Sequence, residues 1–207
     1  MDLKTSVLIV VDVQNGFLPG GNLAVAEGDK VVPVINRIAP QFEHVVLTQD
    51  WHPAGHLSFA SSHAGKKAGE IIDLAYGKQI LWPDHCVQGT YDAQLSDALK
   101  VDHAQLIIRK GCTREVDSYS AFIEADRQTK TGLAGYLRER GLKHCFICGL
   151  ATDFCVAWTA LDARALGFEA TVIEDACQGI DLNGSLSKAK TEMEMTGVRL
   201  VNSANLF

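Results

Sequence analysis

Apolar runs and amphipathic segments alternate along most of the chain. Residues 6–11 form a continuous run rich in β-branched side chains, which is typical of a strand covered on both faces. Further runs predict strands at 44–48, 105–109, 144–148, 169–174 and 198–201. Segments between these runs have apolar residues at helical spacing and predict helices at 29–39, 92–100, 129–140, 157–167 and 184–195. The alternation predicts an α/β fold, with one three-layer domain over residues 1–207 and a six-stranded, mostly parallel sheet between helices.

One stretch breaks this alternation. Residues 51–91 carry His, Pro, Gly and Trp but show little periodicity, which predicts a long excursion from the sheet. Loops of that length in a compact domain are usually functional or disordered. The Trp, Phe and Ile content argues against disorder, so the excursion is a candidate for part of a functional site.

Composition narrows the classes of function. The chain of 207 residues has a formal net charge of −6 and no block of Lys or Arg, which argues against a nucleic-acid partner. The first apolar run is too short for a signal segment or a membrane span. Six cysteines without a secretion signal indicate reduced thiols, so we expect a cytoplasmic protein away from membranes. No dinucleotide-binding or P-loop motif follows a predicted strand, which argues against a nucleotide-binding site of either kind. The sequence leaves open whether the protein forms a homo-oligomer.

Charged or nucleophilic side chains follow four of the predicted strands. They are Asp12, Asp50, Lys110 and, after a tight turn, Cys155. The carboxyl ends of parallel strands meet at one edge of a sheet, where ligands bind in open α/β folds. A lone Asp or Lys is usually a solvated charge, but a set that closes successive strands predicts an active site.

The most informative of these residues is Cys155. With Thr152 as a helix N-cap, Cys155 falls near the third helical position, where the helix dipole favours thiolate over thiol. Free N–H groups of the same turn can stabilise an oxyanion. Asp12 can take the thiol proton, and Lys110 can hold Asp12 ionised. The alternative is a small apolar Cys that packs the helix against the sheet, as most buried Cys residues do.

The other cysteines are weaker candidates. Cys86 is a rival nucleophile beside a histidine, but it lacks a helix start. Cys145 and Cys148 point to opposite faces of a strand and are interpreted as core, with a metal or redox pair as the alternative. Cys112 and Cys177 are interpreted as structural.

Residue types that bind metals cluster at the start of the excursion. Asp50, His52 and His56 lie within seven residues of one another, and His85 follows further on. Carboxylate and imidazole groups suit Zn²⁺, Fe²⁺ or Mn²⁺. The pattern predicts one divalent metal ion, with zinc or iron favoured and manganese an option. Structural or solvated histidines are the alternative.

Taken in order, several motifs resemble the nicotinamidase (pyrazinamidase) branch of the isochorismatase-like cysteine hydrolases. Each motif is weak alone, but together they span nearly the whole chain in the family's order. The segments are 11–17, 21–25, 49–53, 82–86, 109–111, 117–122 and 149–155. One departure is Gly16, where many members have Asp. The resemblance implies an isochorismatase-like fold with cysteine-based hydrolysis.

Catalytic roles follow from the resemblance residue by residue. It implies a triad of Asp12, Lys110 and Cys155. It also implies an oxyanion hole made of the backbone N–H groups of Ala151 and Cys155, with a cis peptide bond just before Ala151.

Binding roles are implied in the same way. The metal ligands would be Asp50, His52 and His85, joined in only some members by His56. Phe17 and Trp82 match aromatic residues that sandwich a pyridine ring, although aromatic residues at such positions are more often ordinary core.

The activity that the resemblance implies is hydrolysis of nicotinamide, a linear carboxamide, to nicotinate and ammonia through a Cys thioester. Pyrazinamide is an expected second substrate, and NAD salvage is the expected role. Two alternatives stay open. One is a metal-independent relative acting on a carbamoyl or ureido compound, and the other is a non-catalytic metal-binding α/β domain.

Overall fold

The computed structural model describes residues 3–206. The strands are β1 (Ser6–Val11), β2 (Val45–Asp50), β3 (Ile71–Leu74), β4 (Gly77–Ile80), β5 (Leu106–Lys110), β6 (His144–Leu150), β7 (Glu169–Gln178) and β8 (Arg199–Val201). The α-helices are α1 (Val31–Ile38), α2 (Leu133–Glu139), α3 (Ala157–Ala165) and α4 (Ser185–Met195).

Six of the strands form one parallel sheet, in the order β5-β2-β1-β6-β7-β8. Every residue of β1 and β2 is buried, as the unbroken apolar run of residues 6–11 predicts for a strand covered on both faces. Strands β2 and β5 lie on one side of β1, and the later strands β6, β7 and β8 lie on its other side. The switch point between β1 and β6 is where a crevice opens in sheets of this kind.

The helices cover the sheet through their apolar stripes. In α1 the buried residues are Val31, Val32, Ile35 and Ile38, a spacing that places them on one face, which packs against β6 and β7. Helix α3 also packs against β6 and β7, and it contacts α4. The prediction of a six-stranded parallel sheet with packed helices is confirmed.

The helix predicted at 92–100 is wrong, because this segment forms turns. Its backbone is used in long-range hydrogen bonds with the segment after β1. Asn15 N donates to Gln94 O at 2.9 Å, Gly16 N donates to Asp92 O at 2.8 Å, and Ser96 N donates to the same segment. Those bonds replace the local i to i−4 ladder that a helix needs.

The excursion after β2 contains one element that the sequence did not predict. Strands β3 and β4 form an antiparallel hairpin, in which Ile71 pairs with Ile80. The hairpin escaped prediction because its strands are short and largely solvent-facing, so they lack an apolar face. Its buried residue is polar Gln79, which is 1% exposed.

All six cysteines lie within the described residues and carry free thiols. Cys145 and Cys148 are buried, as predicted for core residues, and Cys86 and Cys177 are buried as well. Cys112 is exposed in the loop that follows β5, so it is not part of the core. Across residues 3–206, no helix combines the length and the apolar content needed to cross a membrane.

Candidate active site

The site is centred on Lys110, the last residue of β5, whose side chain is fully buried. Its Nζ atom lies 2.8 Å from Oδ2 of Asp12 and 3.4 Å from Sγ of Cys155. It also donates to the Asp50 carboxylate, and to the carbonyl of Ser118 at 3.0 Å. Burial alone would lower the pKa of this ammonium, but Asp12 and Asp50 outweigh burial and raise the pKa well above its usual value. Lys110 therefore stays charged.

Asp12 follows β1 in a left-handed backbone conformation, with φ of 48°. Its Oδ1 atom accepts a hydrogen bond from the hydroxyl of Thr48 at 2.6 Å. Its Oδ2 atom has an ion-pair partner in Lys110 but no well-aligned hydrogen-bond donor within the described part of the chain. Burial raises the pKa of this carboxyl despite the opposing effect of Lys110, which makes it a stronger proton acceptor.

Cys155 lies in a single π-helical turn, Thr152–Val156, that links β6 to α3. The predicted N-cap at Thr152 is wrong, because Ala151 occupies the cap position and no side chain caps the turn. The wide turn forms because the carbonyl of Ala151 accepts from the N–H of Val156, five residues on, at 3.1 Å. The peptide bond just before Ala151 is cis.

The protonation state of Cys155 differs from the expectation. Burial raises the pKa of this thiol well above its usual value, and Lys110 lowers it too little to compensate. Asp12 and Asp50 raise it further. The prediction that thiolate is favoured at rest is therefore wrong. Sγ of Cys155 nevertheless lies close to two possible proton acceptors, because this atom and one oxygen each from Asp12 and Asp50 lie within 4.8 Å of one another. The thiol must lose its proton during the reaction.

Asp50, His52 and His85 form a second buried group, with ligand atoms all within 4.8 Å of one another. The Nε2 atoms of His52 and His85 lie 3.6 Å and 3.7 Å from Oδ2 of Asp50. Each Nδ1 lies at hydrogen-bond distance from a carbonyl oxygen, that of Gly111 at 3.0 Å and that of Pro83 at 2.8 Å. A carbonyl oxygen only accepts, so each Nδ1 carries a proton, and Nε2 of a neutral ring is the atom available to a cation beside the carboxylate. This donor set fits a divalent Zn, Fe or Mn ion.

Two features prepare this group for a cation. Burial alone would raise the pKa of the Asp50 carboxyl, but Lys110 and His52 outweigh it and hold the pKa well below its usual range. Gly111 has a φ of 63°, and a Cβ there would lie 2.4 Å from Cε1 of His52. Only glycine allows that imidazole to lie against the backbone.

His56 does not belong to this group of three, but its ligand atom lies within 4.8 Å of those of His52 and Asp117. Its ring lies 4.3 Å from that of His52, centroid to centroid. Its Nδ1 atom accepts from the backbone N–H of Ser58 at 3.1 Å, and its Nε2 atom lies 3.2 Å from the carbonyl oxygen of Val116. Both nitrogens are engaged, so a role for His56 as a fourth ligand stays a prediction that requires the ring to change partners.

A narrow pocket opens over Cys155 at the switch point of the sheet. Phe17 and Trp82 line it, and the indole of Trp82 meets Phe154 edge-on with centroids 5.0 Å apart. The remaining lining residues are Leu23, Asp50, His85, Asp117, Tyr119, Ala151 and Ile180. Since Cys155 and two members of the metal-ligand group open into one slot with aromatic walls, the pocket suits a flat ring bearing a reactive group.

Asp92 supports this pocket and was missed by sequence reasoning. Its Oδ1 atom accepts from the N–H of Asn22 at 3.1 Å, and its Oδ2 atom accepts from the N–H of Cys86 at 2.7 Å. The carboxylate therefore ties the loop that carries Phe17 to the turn at the metal-ligand group. Gly16 makes room for it, because a Cβ at that position would lie 2.6 Å from Oδ2 of Asp92. The one sequence feature that could have indicated this contact is Gly16, which stands where many members of the family have Asp.

Replacing Gly16 by Ala is expected to lower the free energy of unfolding by about 1–3 kcal/mol, because the added methyl group displaces the Asp92 carboxylate. Urea unfolding of the two proteins measures the difference. Gly135→Ala is a matched control in α2, where a Cβ meets nothing within 4 Å, and it should be neutral or stabilising. Equal stability of the Gly16→Ala protein and the parent would contradict this account of Asp92.

A second missed residue is Asp153, which is buried within the turn that carries Cys155. Its two carboxylate oxygens accept from the N–H groups of Ile180 at 2.9 Å and Asp181 at 2.8 Å. Asp153 therefore fixes the pocket wall formed by Ile180 to the nucleophile turn.

Comparison with known proteins agrees with the geometry. The model of the isochorismatase domain matches residues 6–205. The chain belongs to the isochorismatase family. Within this family it is similar to the nicotinamidase of Acinetobacter baylyi, with 60% identity over 200 residues that cover 97% of this chain and 94% of that protein.

Solved structures of isochorismatase-family proteins extend the comparison. The Acinetobacter baumanii nicotinamidase has 59% identity and a TM-score of 0.98, and the match covers 99% of each chain. The pyrazinamidase of Pyrococcus horikoshii, solved in complex with zinc, has 37% identity and a TM-score of 0.78 and covers 96% of this chain and 99% of that one. The sequence-based resemblance to the nicotinamidase branch is confirmed.

Proposed function

We propose that this protein is a nicotinamidase, an amidohydrolase that converts nicotinamide to nicotinate and ammonia and so feeds NAD salvage. The observation that carries the proposal is the convergence of Asp12, Lys110 and the Cys155 thiol beneath a pocket with aromatic walls. The likeness to nicotinamidases over nearly the whole chain supports the same substrate. Pyrazinamide, whose ring is of similar size, is the proposed second substrate.

The first half-reaction forms a thioester on Cys155. Asp12 takes the thiol proton as sulfur attacks the carboxamide carbon, and a C–S bond forms while the C=O bond becomes a single-bonded oxyanion. The backbone N–H groups of Ala151 and Cys155 donate to that oxygen. When the C=O bond re-forms, the C–N bond breaks, and Asp12 returns its proton to the leaving nitrogen, which departs as ammonia.

The second half-reaction reverses these roles with water. Asp12 takes a proton from water, whose oxygen attacks the thioester carbon. The C–S bond then breaks, the sulfur regains a proton, and nicotinate is released. Lys110 stabilises the negative charge that is exchanged between Asp12 and the sulfur, since its ammonium lies within 3.4 Å of both.

Asp50, His52 and His85 are the proposed ligands of one divalent ion, zinc or iron in preference to manganese, with His56 less firmly assigned. When bound, such an ion supplies a coordination position for the pyridine nitrogen and so orients the ring. Phe17 and Trp82 hold the two faces of that ring by packing.

Ammonia release from a panel of amides tests the proposed activity. We expect nicotinamide and pyrazinamide to be hydrolysed, and benzamide, which has the same shape without a ring nitrogen, to be hydrolysed at least about tenfold less efficiently because one oriented contact is lost. Hydrolysis of a carbamoyl or ureido compound, with nicotinamide untouched, would favour the metal-independent alternative.

Metal removal separates the alternatives further. Dialysis against a chelator should abolish nicotinamide hydrolysis, and added Zn²⁺, Fe²⁺ or Mn²⁺ should restore it, because the ring loses its orientation without the ion. Metal analysis of the same samples identifies the ion. Unchanged turnover in metal-free protein would contradict the positioning role.

A further inference from the structure

Asp117 is a third buried carboxylate near the pocket, and it has no part in the mechanism above. It is 2% exposed and lines the pocket. Its Oδ1 atom lies 3.9 Å from Nε2 of His52, the nitrogen assigned to the metal ion. It is not one of the group formed by Asp50, His52 and His85, but with His52 and His56 it forms a second group whose ligand atoms lie within 4.8 Å of one another. Asp117 therefore lies beside the proposed ligand set.

Polar contacts hold Asp117 in this position. Oδ1 accepts from the backbone N–H of Ser118 at 2.8 Å, and Oδ2 accepts from the side-chain amide of Gln79 at 2.7 Å. Gln79 is itself 1% exposed, and its Oε1 atom accepts from the hydroxyl of Tyr76 at 2.8 Å. Since each carboxylate oxygen has two lone pairs, both keep capacity for a further donor or a cation. The β3–β4 hairpin thus supplies a buried amide that orients this carboxylate.

The charge around the pocket is unbalanced. Asp12, Asp50 and Asp117 bring three buried carboxyl groups, and Lys110 is the one Lys or Arg that forms an ion pair with any of them in residues 3–206. The imidazole of His52 lies near both Asp50 and Asp117, and that of His85 lies near Asp50. Since burial of several carboxylates is unfavourable without enough positive charge nearby, such a cluster favours an added cation. A divalent cation beside His52 would supply that charge.

We propose that Asp117, positioned by Gln79, is a second carboxylate of the cation site beside Asp50, and that it raises the affinity of the site for a divalent ion. This inference rests on the proposed metal site at Asp50, His52 and His85. Asp117 acts on the cation through its negative charge and as an acceptor for water that the cation carries.

The test measures Zn²⁺ affinity of the full-length, metal-free protein by competition with a coloured chelator. Asp117→Asn keeps the shape of the side chain but removes its charge, and it should weaken Zn²⁺ binding by about 10–100-fold, as is usual for outer partners of metal sites. Asp73→Asn, which neutralises an exposed carboxylate of the β3–β4 hairpin, should change the affinity less than about twofold. An unchanged affinity in Asp117→Asn would overturn the proposal.

Two further variants make every outcome decisive. Gln79→Met removes the amide donor and leaves the Asp117 charge in place, so it should weaken Zn²⁺ binding by at least about threefold. If Asp117→Asn fails to fold in urea unfolding, the Gln79→Met affinity decides, and a value equal to the parent overturns the proposal. His85→Ala should abolish tight binding. Tight Zn²⁺ binding by His85→Ala would overturn the metal site and this inference together. An unchanged affinity in Asp117→Asn, with binding lost in His85→Ala, would overturn this inference alone and leave the proposed function intact.

Discussion

Replacing Cys155 by Ala is expected to lower the rate of ammonia release from nicotinamide by at least about 10⁴-fold, because no thioester can form. The metal content should stay unchanged, since Asp50, His52 and His85 keep their positions. Steady-state ammonia assays and metal analysis on the same preparation measure both quantities. The change removes one buried sulfur, so the fold should persist, which thermal unfolding checks.

Cys86→Ala is the matched control for this prediction. Cys86 is also buried and lies beside His85, but burial raises the pKa of its thiol far above its usual value, and no ammonium contacts its sulfur in the described residues. The Cys86→Ala protein should therefore keep its turnover. Ammonia release at the normal rate by Cys155→Ala, together with loss of turnover in Cys86→Ala, would show that Cys86 is the nucleophile.

Lys110→Met is expected to damage both activity and stability. The variant leaves Asp12 and Asp50 buried without their ammonium partner, which should cost about 3–5 kcal/mol in the free energy of unfolding. Turnover should fall by at least about 10³-fold, because nothing then balances the charge that Asp12 and Cys155 exchange. Without Lys110, the pKa of the Asp12 carboxyl, which burial already raises, should rise further, and the pKa of the Asp50 carboxyl should rise because its ammonium partner is gone. The stability deficit should therefore shrink as the pH falls and the carboxyls are protonated.

Lys78→Met provides the comparison for Lys110→Met. Lys78 lies on β4 and pairs with Asp73 in a contact where both side chains are mostly exposed. Its removal should change the free energy of unfolding by less than about 0.5 kcal/mol and leave turnover intact. Equal unfolding free energies of Lys110→Met and the parent would show that the buried ion pairs do not stabilise the fold.

The sequence predicted the sheet and the meeting of Asp12, Lys110 and Cys155 for one physical reason. Strands such as β1 are buried on both faces and read as unbroken apolar runs, and parallel strands bring their carboxyl ends to one edge. Any residue that directly ends such a strand is therefore placed without knowledge of side-chain packing. Strand ends were less well predicted, since β2 and β5 extend to Asp50 and Lys110 themselves.

The errors share a different cause, which is dependence on distant contacts. The segment 92–100 has helical spacing, but its backbone hydrogen-bonds to the loop after β1. The helix dipole alone favours thiolate at Cys155, but desolvation reverses the direction of the pKa shift, and burial is not readable from a single turn. Gln79 and Asp117 lie 38 positions apart, so no local pattern links them.

Peptide mass spectrometry of protein quenched in acid during turnover of nicotinamide tests directly whether Cys155 is the nucleophile. We predict a nicotinoyl group on the peptide that contains Cys155, absent from a sample quenched without substrate and absent from Cys155→Ala. An acyl group on the peptide that contains Cys86, or on any other residue while Cys155 stays unmodified, would contradict the claim that the Cys155 sulfur, Asp12 and Lys110 form the reacting centre.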